Sequence, residues 1–162
     1  MPNPTQLETY RSQLRETQQA FLDILTEAEE STLYQRHDAE GWTLAETLVH
    51  IAEARMFYAD EIARLHAAPG STIGRELTHP GRTQYIIDNA RNTPEQIAAK
   101  LIESHDLMIS TLTVMKDDEL SLQGNHVASG EHTLAELVER YFVGHDQVHV
   151  AQARSLLSGG EA

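Results

Sequence analysis

Thr43-Leu44-Ala45-Glu46 opens one segment of this chain, and Thr133-Leu134-Ala135-Glu136 opens another. Each is a threonine followed three residues later by glutamate, at the head of an apolar run. At that spacing the threonine oxygen and the glutamate carboxylate satisfy amide donors that the first helical turn leaves without partners. Thr93-Pro94-Glu95-Gln96 is a third start of the same kind, with proline at the first helical position, where its missing N–H does no harm. Read outward from these caps, one helix runs from Thr43 to about Ala67 and stops before the breaker pair Pro69-Gly70. The next carries Ile97, Leu101, His105, Met108, Leu112 and Met115 at three- and four-residue steps. The last continues from Thr133 to about Leu157, ahead of Gly159-Gly160. Upstream, about Pro4 to Glu30 repeats Leu7, Tyr10, Leu14, Phe21, Ile24, Leu25 and Ala28 at helical steps.

Four long amphipathic helices bury their apolar faces most simply against one another. The expected fold is therefore all-α, an antiparallel four-helix bundle forming one domain over residues 1–162. No alternating β-branched run and no Asn-Gly or Asp-Gly hairpin signal points to strands. Two connections, after the second and third long helices, exceed what a bundle requires. Pro69 to Asn92 holds a short helical stretch at Arg82–Arg91, and Lys116 to His132 contains Gly124, Asn125 and Gly130. Long connections in compact domains are often functional, so both are expected to border a site. The shared Thr-Leu-Ala-Glu is not read as a duplication, because Arg140 falls where His50 would have its counterpart.

Composition narrows the function. With 12 Lys+Arg against 25 Asp+Glu the net charge is −13, which repels nucleic acid and anionic lipid. No apolar run is long enough to span a bilayer, and the polar stretch from Met1 to Thr9 does not read as a signal peptide. The absence of cysteine excludes disulfides, thiolate metal sites and cysteine nucleophiles. A cytoplasmic protein with no nucleic-acid or membrane partner is the expectation. Nine histidines are many for this length, and histidine is the commonest metal ligand.

His145 and His149 lie four apart on the last helix, the spacing at which two imidazoles from one helix bind one metal ion. Tyr141 and Gln152 extend the same face, which overlaps the apolar stripe and so points inward. A site needs at least a third ligand from elsewhere in the chain. His50 is the best candidate, flanked by Val49, Ile51, Ala54 and Phe57; His105, on the stripe of the third helix, is the rival and reads better as a core residue. His145-Asp146-Gln147-Val148-His149 departs from the metalloprotease His-Glu-x-x-His in its aspartate and in lacking a further ligand downstream. A di-iron bundle needs paired Glu-x-x-His motifs, and Glu76-Leu77-Thr78-His79 stands alone before Pro80.

Trp42-Thr43-Leu44-Ala45-Glu46-Thr47-Leu48-Val49-His50-Ile51, followed far downstream by His145-Asp146-Gln147-Val148-His149-Val150-Ala151-Gln152, resembles the DinB/YfiT-like superfamily of four-helix bundles. The resemblance implies that His50, His145 and His149 form a facial triad on a divalent metal ion, zinc or nickel. It also implies a metal-dependent enzyme that uses a low-molecular-weight thiol as cosubstrate, a thiol S-transferase acting on a small electrophile, and a homodimer. The alternatives are a non-catalytic metal-binding bundle, for sensing, storage or scaffolding, and a metal-water hydrolase. Around the histidines, Glu46 or Glu53 is placed to orient His50, and Asp146 to orient His149, although solvated carboxylates are the plainer reading of each. Tyr141 and Gln152 face either the metal cavity or the packed core. Arg82 and Tyr85 are placed to meet a carboxylate, and Trp42 reads as a hydrophobic staple.

Overall fold

The computed structural model describes residues 2–159. The long helices start where the caps require. Helix α1 (Gln6–Glu27) begins at Thr5, whose side chain and that of Glu8 form a capping box that the periodicity alone did not reveal. A single turn, α2 (Glu30–Leu33), follows after a break at Ala28, where the backbone turns extended. Helix α3 (Leu44–Ala67) has the expected box at Thr43 and Glu46. Helix α4 (Pro80–Asn89) is the short helix of the first long connection, and α5 (Pro94–Thr113) starts at the Thr93–Gln96 box.

The last long helix is interrupted. It starts as α6 (Leu134–Val138), passes through a π-helical segment at Glu139–Gly144, and continues as α7 (His145–Leu157). A Cβ at Gly144 would stand 2.7 Å from the Glu139 carbonyl oxygen, so glycine is what lets the chain wind this way immediately before His145. Gly159, just past α7, has the positive φ of a helix stop, and Gly160 of that signal lies outside the described residues.

The all-α expectation needs one correction. The two long connections meet in a three-stranded sheet of β1 (Thr72–Ile73), β2 (Gln123–His126) and β3 (Gly130–Thr133). Strand β1 pairs parallel with β2, and β2 pairs antiparallel with β3. These strands are too short to show alternation, and their pairing between distant segments satisfies backbone groups that each loop could not satisfy alone. Among the described residues, no helix is long and apolar enough to cross a membrane.

In the bundle, α1 and α3 each pack against both α5 and α7. The buried apolar residues divide into two clusters. One gathers Leu14, Ile62, Leu65, Met108, Leu112 and Phe142. The other gathers Phe21, Leu44, Leu48, Ile51, Ile97 and Leu101. Between them along the helices lies a buried polar layer centred on Arg55 and Asp146, both 0% exposed. The Arg55 guanidinium donates from Nε and Nη2 to the Asp146 carboxylate, and from Nη1 to Gln18 Oε1 and the Leu101 carbonyl. Thr17 donates to the same carboxylate. Burying a charge in a bundle is tolerable only when it is paired and hydrogen-bonded in this way.

Candidate metal site

Helix α3 delivers His50 and helix α7 delivers His145 and His149 to one point beside the polar layer. Their ring nitrogens include one atom from each residue lying within 4.8 Å of the other two, the only such group of three among the described residues. His50 Nε2 and His145 Nε2 are 3.2 Å apart. His149 turns Nδ1 to Gln152 Oε1 at 2.6 Å, which leaves its Nε2 without that partner. Two nitrogens each about 2.0–2.1 Å from one ion stand about 2.9–3.4 Å apart, for octahedral or tetrahedral angles. The His50–His145 separation fits that range. Gln152 sits where a group that fixes a ligand's tautomer belongs, since Nδ1–H of His149 donates to its oxygen and Nε2 keeps its lone pair. The Nδ1 atoms of His50 and His145 are buried without a protein partner.

The electrostatics match. Burial first, then the neighbouring histidines, holds His50 down to about 2, and the same causes hold His145 down to about 3. Burial lowers His149 as well, against an opposing contribution from Gln152. All three rings are therefore neutral at pH 7, as a metal ligand must be.

In chelator-treated protein this depression makes stability fall with acid. The unfolded chain protonates these rings near pH 6.5, while the folded one resists down to about 2 for His50 and about 3 for His145. Between those limits the unfolded state binds more protons, so each ring costs up to about 1.4 kcal/mol per pH unit as pH falls below 6.5. Urea unfolding at pH 7, 6 and 5 should show the loss. A flat profile across that range would mean that the rings protonate freely in the folded protein.

A cavity of about 190 Å³ adjoins the cluster, lined by all three histidines with Tyr58, Tyr141, Arg75, Leu77 and Arg82 among others. Leu77, 79% exposed, marks its mouth. The first long connection thus borders the site, as the sequence suggests. The second reaches it through the sheet: His126 of β2 hydrogen-bonds Tyr58, and Tyr141 meets Ser129, which also contacts His132.

Several assignments from the sequence move. Asp146 turns away from His149 into the core to bind Arg55. Glu46 completes the Thr43 cap and pairs with Arg36, while Glu53 forms a two-pronged pair with Arg75, so neither orients His50. Trp42, expected as a hydrophobic staple, lies against the site instead: its ring is 4.6 Å from that of His50, and the Arg82 guanidinium stands over it at 5.3 Å. His105 is half-buried and stands outside the three-histidine group. Tyr85 packs with the second apolar cluster, away from the cavity. His126 and Gly74 had no signal in the sequence. A Cβ at Gly74 would meet the His126 ring at 2.2 Å, so this glycine makes room for the ring.

Fold and site together define a helical bundle in which three neutral imidazoles from two helices face a small cavity. The profile of the DinB superfamily matches residues 13–153, and the chain belongs to that family. Among solved structures it is similar to YfiT from Bacillus subtilis, described as a probable metal-dependent hydrolase with an unusual four-helix bundle topology. The identity is 18%, over 96% of this chain and 90% of that one, with a TM-score of 0.77. It is also similar to the mycothiol-dependent maleylpyruvate isomerase, at 12% identity over 93% of this chain and 60% of that one, with a TM-score of 0.72. At these identities the likeness shows the fold. No curated protein sequence matches the chain.

Proposed function

We propose that His50, His145 and His149 hold one divalent ion, zinc or nickel, through their Nε2 atoms, and that the protein transfers a low-molecular-weight thiol to a small electrophile. The observation that carries the reading is the convergence of three neutral imidazoles at the wall of a cavity with a mouth at Leu77. When bound, such an ion supplies Lewis acidity that lowers the pKa of a thiol or water brought to it. Three neutral ligands leave its charge uncompensated, which suits an open catalytic site better than a closed structural one. Gln152 fixes the His149 tautomer, and Trp42 covers the His50 ring. Because the chain has no cysteine, the thiol must come from a cosubstrate. In the reaction the thiol sulfur forms the new S–C bond, the leaving group departs with its electron pair, and the thiol proton passes to solvent. The similarity to an isomerase described as mycothiol-dependent supports a thiol, although this chain spans only 60% of that protein. Hydrolysis is the second reading, favoured by the description of YfiT as a probable metal-dependent hydrolase.

The test is to incubate metal-loaded protein with halogenated, epoxide and ester substrates, with and without bacillithiol, mycothiol, glutathione or coenzyme A. Thiol and electrophile should disappear together, and only in metal-loaded protein with His149 intact. Ester loss without any thiol would move the assignment to hydrolysis. No turnover at all, with metal bound, would leave a binding protein.

A further inference from the structure

We propose that the cavity beside the three histidines takes a small carboxylate, held by the Arg82 guanidinium and by the Tyr58 hydroxyl acting as a hydrogen-bond donor. This rests on reading the cavity as the reaction site and names the substrate class it accepts. The direction of the Tyr58 hydrogen follows from a histidine outside the metal site. The Ala128 amide N–H donates to His126 Nδ1 at 3.0 Å, so that nitrogen carries a lone pair. A neutral imidazole then has its one proton on Nε2. His126 Nε2 lies 2.9 Å from Tyr58 Oη, so the histidine is the donor and the tyrosine oxygen the acceptor. The tyrosine's own hydrogen must go elsewhere, and among the described residues Tyr58 Oη has no hydrogen bond besides the one with His126. Tyr58 lines the cavity, so a ligand seated there is the candidate acceptor for that hydrogen. Burial lowers the His126 pKa and raises that of Tyr58, which keeps the ring neutral and the phenol protonated.

Arg82 supplies the charge. It lines the same cavity, and its one hydrogen bond among the described residues is to the Leu77 carbonyl at 3.3 Å. Among the described residues no carboxylate pairs with it, whereas Arg75 on the same wall is neutralised by Glu53. Burial, and then Arg75, presses the Arg82 pKa down against smaller opposing contributions from Glu53 and Tyr58, and a bound anion would relieve what remains of that penalty. Tyr58 is near enough to act on Arg82 electrostatically. Glu76 also reaches the cavity, but it is exposed to water. In a chain of net charge −13, an arginine without a carboxylate partner beside an inward-directed phenol makes a recognition site for an anionic oxygen ligand. A planar carboxylate matches the guanidinium fork with parallel N–H···O bonds.

Trp42 is the only tryptophan, and it touches both His50 and Arg82, so its fluorescence reports on the site. Succinate, its neutral diamide, mercaptosuccinate and mercaptoethanol should be titrated by fluorescence and calorimetry, into both chelator-treated and metal-loaded protein. Succinate should bind where the diamide does not, with or without metal. Arg82→Gln should weaken it about ten- to a hundredfold and Tyr58→Phe about three- to tenfold, with Arg82→Lys in between. Circular dichroism checks that each variant is folded, and the conservative Arg82→Lys and Tyr58→Phe keep the test decisive if Arg82→Gln is not. Additional affinity of mercaptosuccinate over succinate, confined to metal-loaded protein, assigns the carboxylate to the thiol cosubstrate; equal affinity assigns it to the electrophile. Equal succinate affinity in wild type and the Arg82 variants, or no saturable binding of either carboxylate up to about 50 mM, overturns the proposal. Because the chelated protein is titrated too, failure to bind metal is a separate result.

Discussion

Alanine at His145 is expected to strip the purified protein of divalent metal, from about one ion per chain to a small fraction of that in elemental analysis. The reason is geometric. His145 Nε2 is the atom that approaches His50 Nε2 at 3.2 Å, and with it gone the two remaining rings come from different helices with no third donor to close the set. His50→Ala and His149→Ala should do the same. Gln152→Ala keeps all three rings and removes only the partner of His149 Nδ1, so its loss should be graded, about ten- to a hundredfold in affinity. The helices should survive in every case. They are held by their caps and two apolar clusters, so chelation should lower the melting temperature while leaving the far-ultraviolet dichroism of a helical protein. Full occupancy in His145→Ala would defeat the three-histidine site, and an unfolded apo-protein would make the metal structural.

What the sequence discloses here is what local chemistry encodes. A capping box occupies four consecutive residues, and the boxes at Thr43, Thr93 and Thr133 all place helix starts to the residue. A His-x-x-x-His pair is equally local, since one helical turn puts both rings on one face. The inward direction of that face, and the choice of His50 over His105, follow from apolar neighbours that can also be read along the chain.

Relations between distant segments are another matter. The sheet joins residues 72–73 to 125–126, and nothing in Thr72-Ile73 announces a strand. For the same reason His126 looked like any loop histidine, although it sets the donor direction of Tyr58 from 68 residues away. The carboxylates mislead more sharply. Asp146 stands three before His149 and invites a local reading, but a side chain on α7 can turn toward α3 as easily as along its own helix. Arg55, fully buried in a stretch of alanine and glutamate, is the residue that decides the matter, and buried arginines cannot be told from exposed ones by spacing alone.

That ion pair carries the largest expected effect on stability. Asp146→Asn leaves the Arg55 guanidinium 0% exposed with its counter-charge gone, and Arg55→Ala leaves the carboxylate in the same position. Each should cost about 3–5 kcal/mol, because a buried charge without its partner retains its desolvation penalty. Against a total of about 5–15 kcal/mol that is a large share, and the melting temperature should fall by roughly 10 °C. Replacing both together by apolar residues of similar volume, Arg55→Met with Asp146→Leu, should recover most of the loss, since neither charge then remains. In that double variant Thr17 keeps a backbone acceptor and Ser104 still donates to the Leu101 carbonyl, whereas Gln18 Oε1 loses the Arg55 donor. The pair also ties α7 to α3, the two helices that deliver the three histidines. Metal affinity should therefore drop in the single variants, although neither residue is a ligand. Single variants within about 1 kcal/mol of wild type in urea unfolding would show instead that water reaches the layer and screens it. The packing of α3 on α7 would then owe its stability to the apolar clusters on either side.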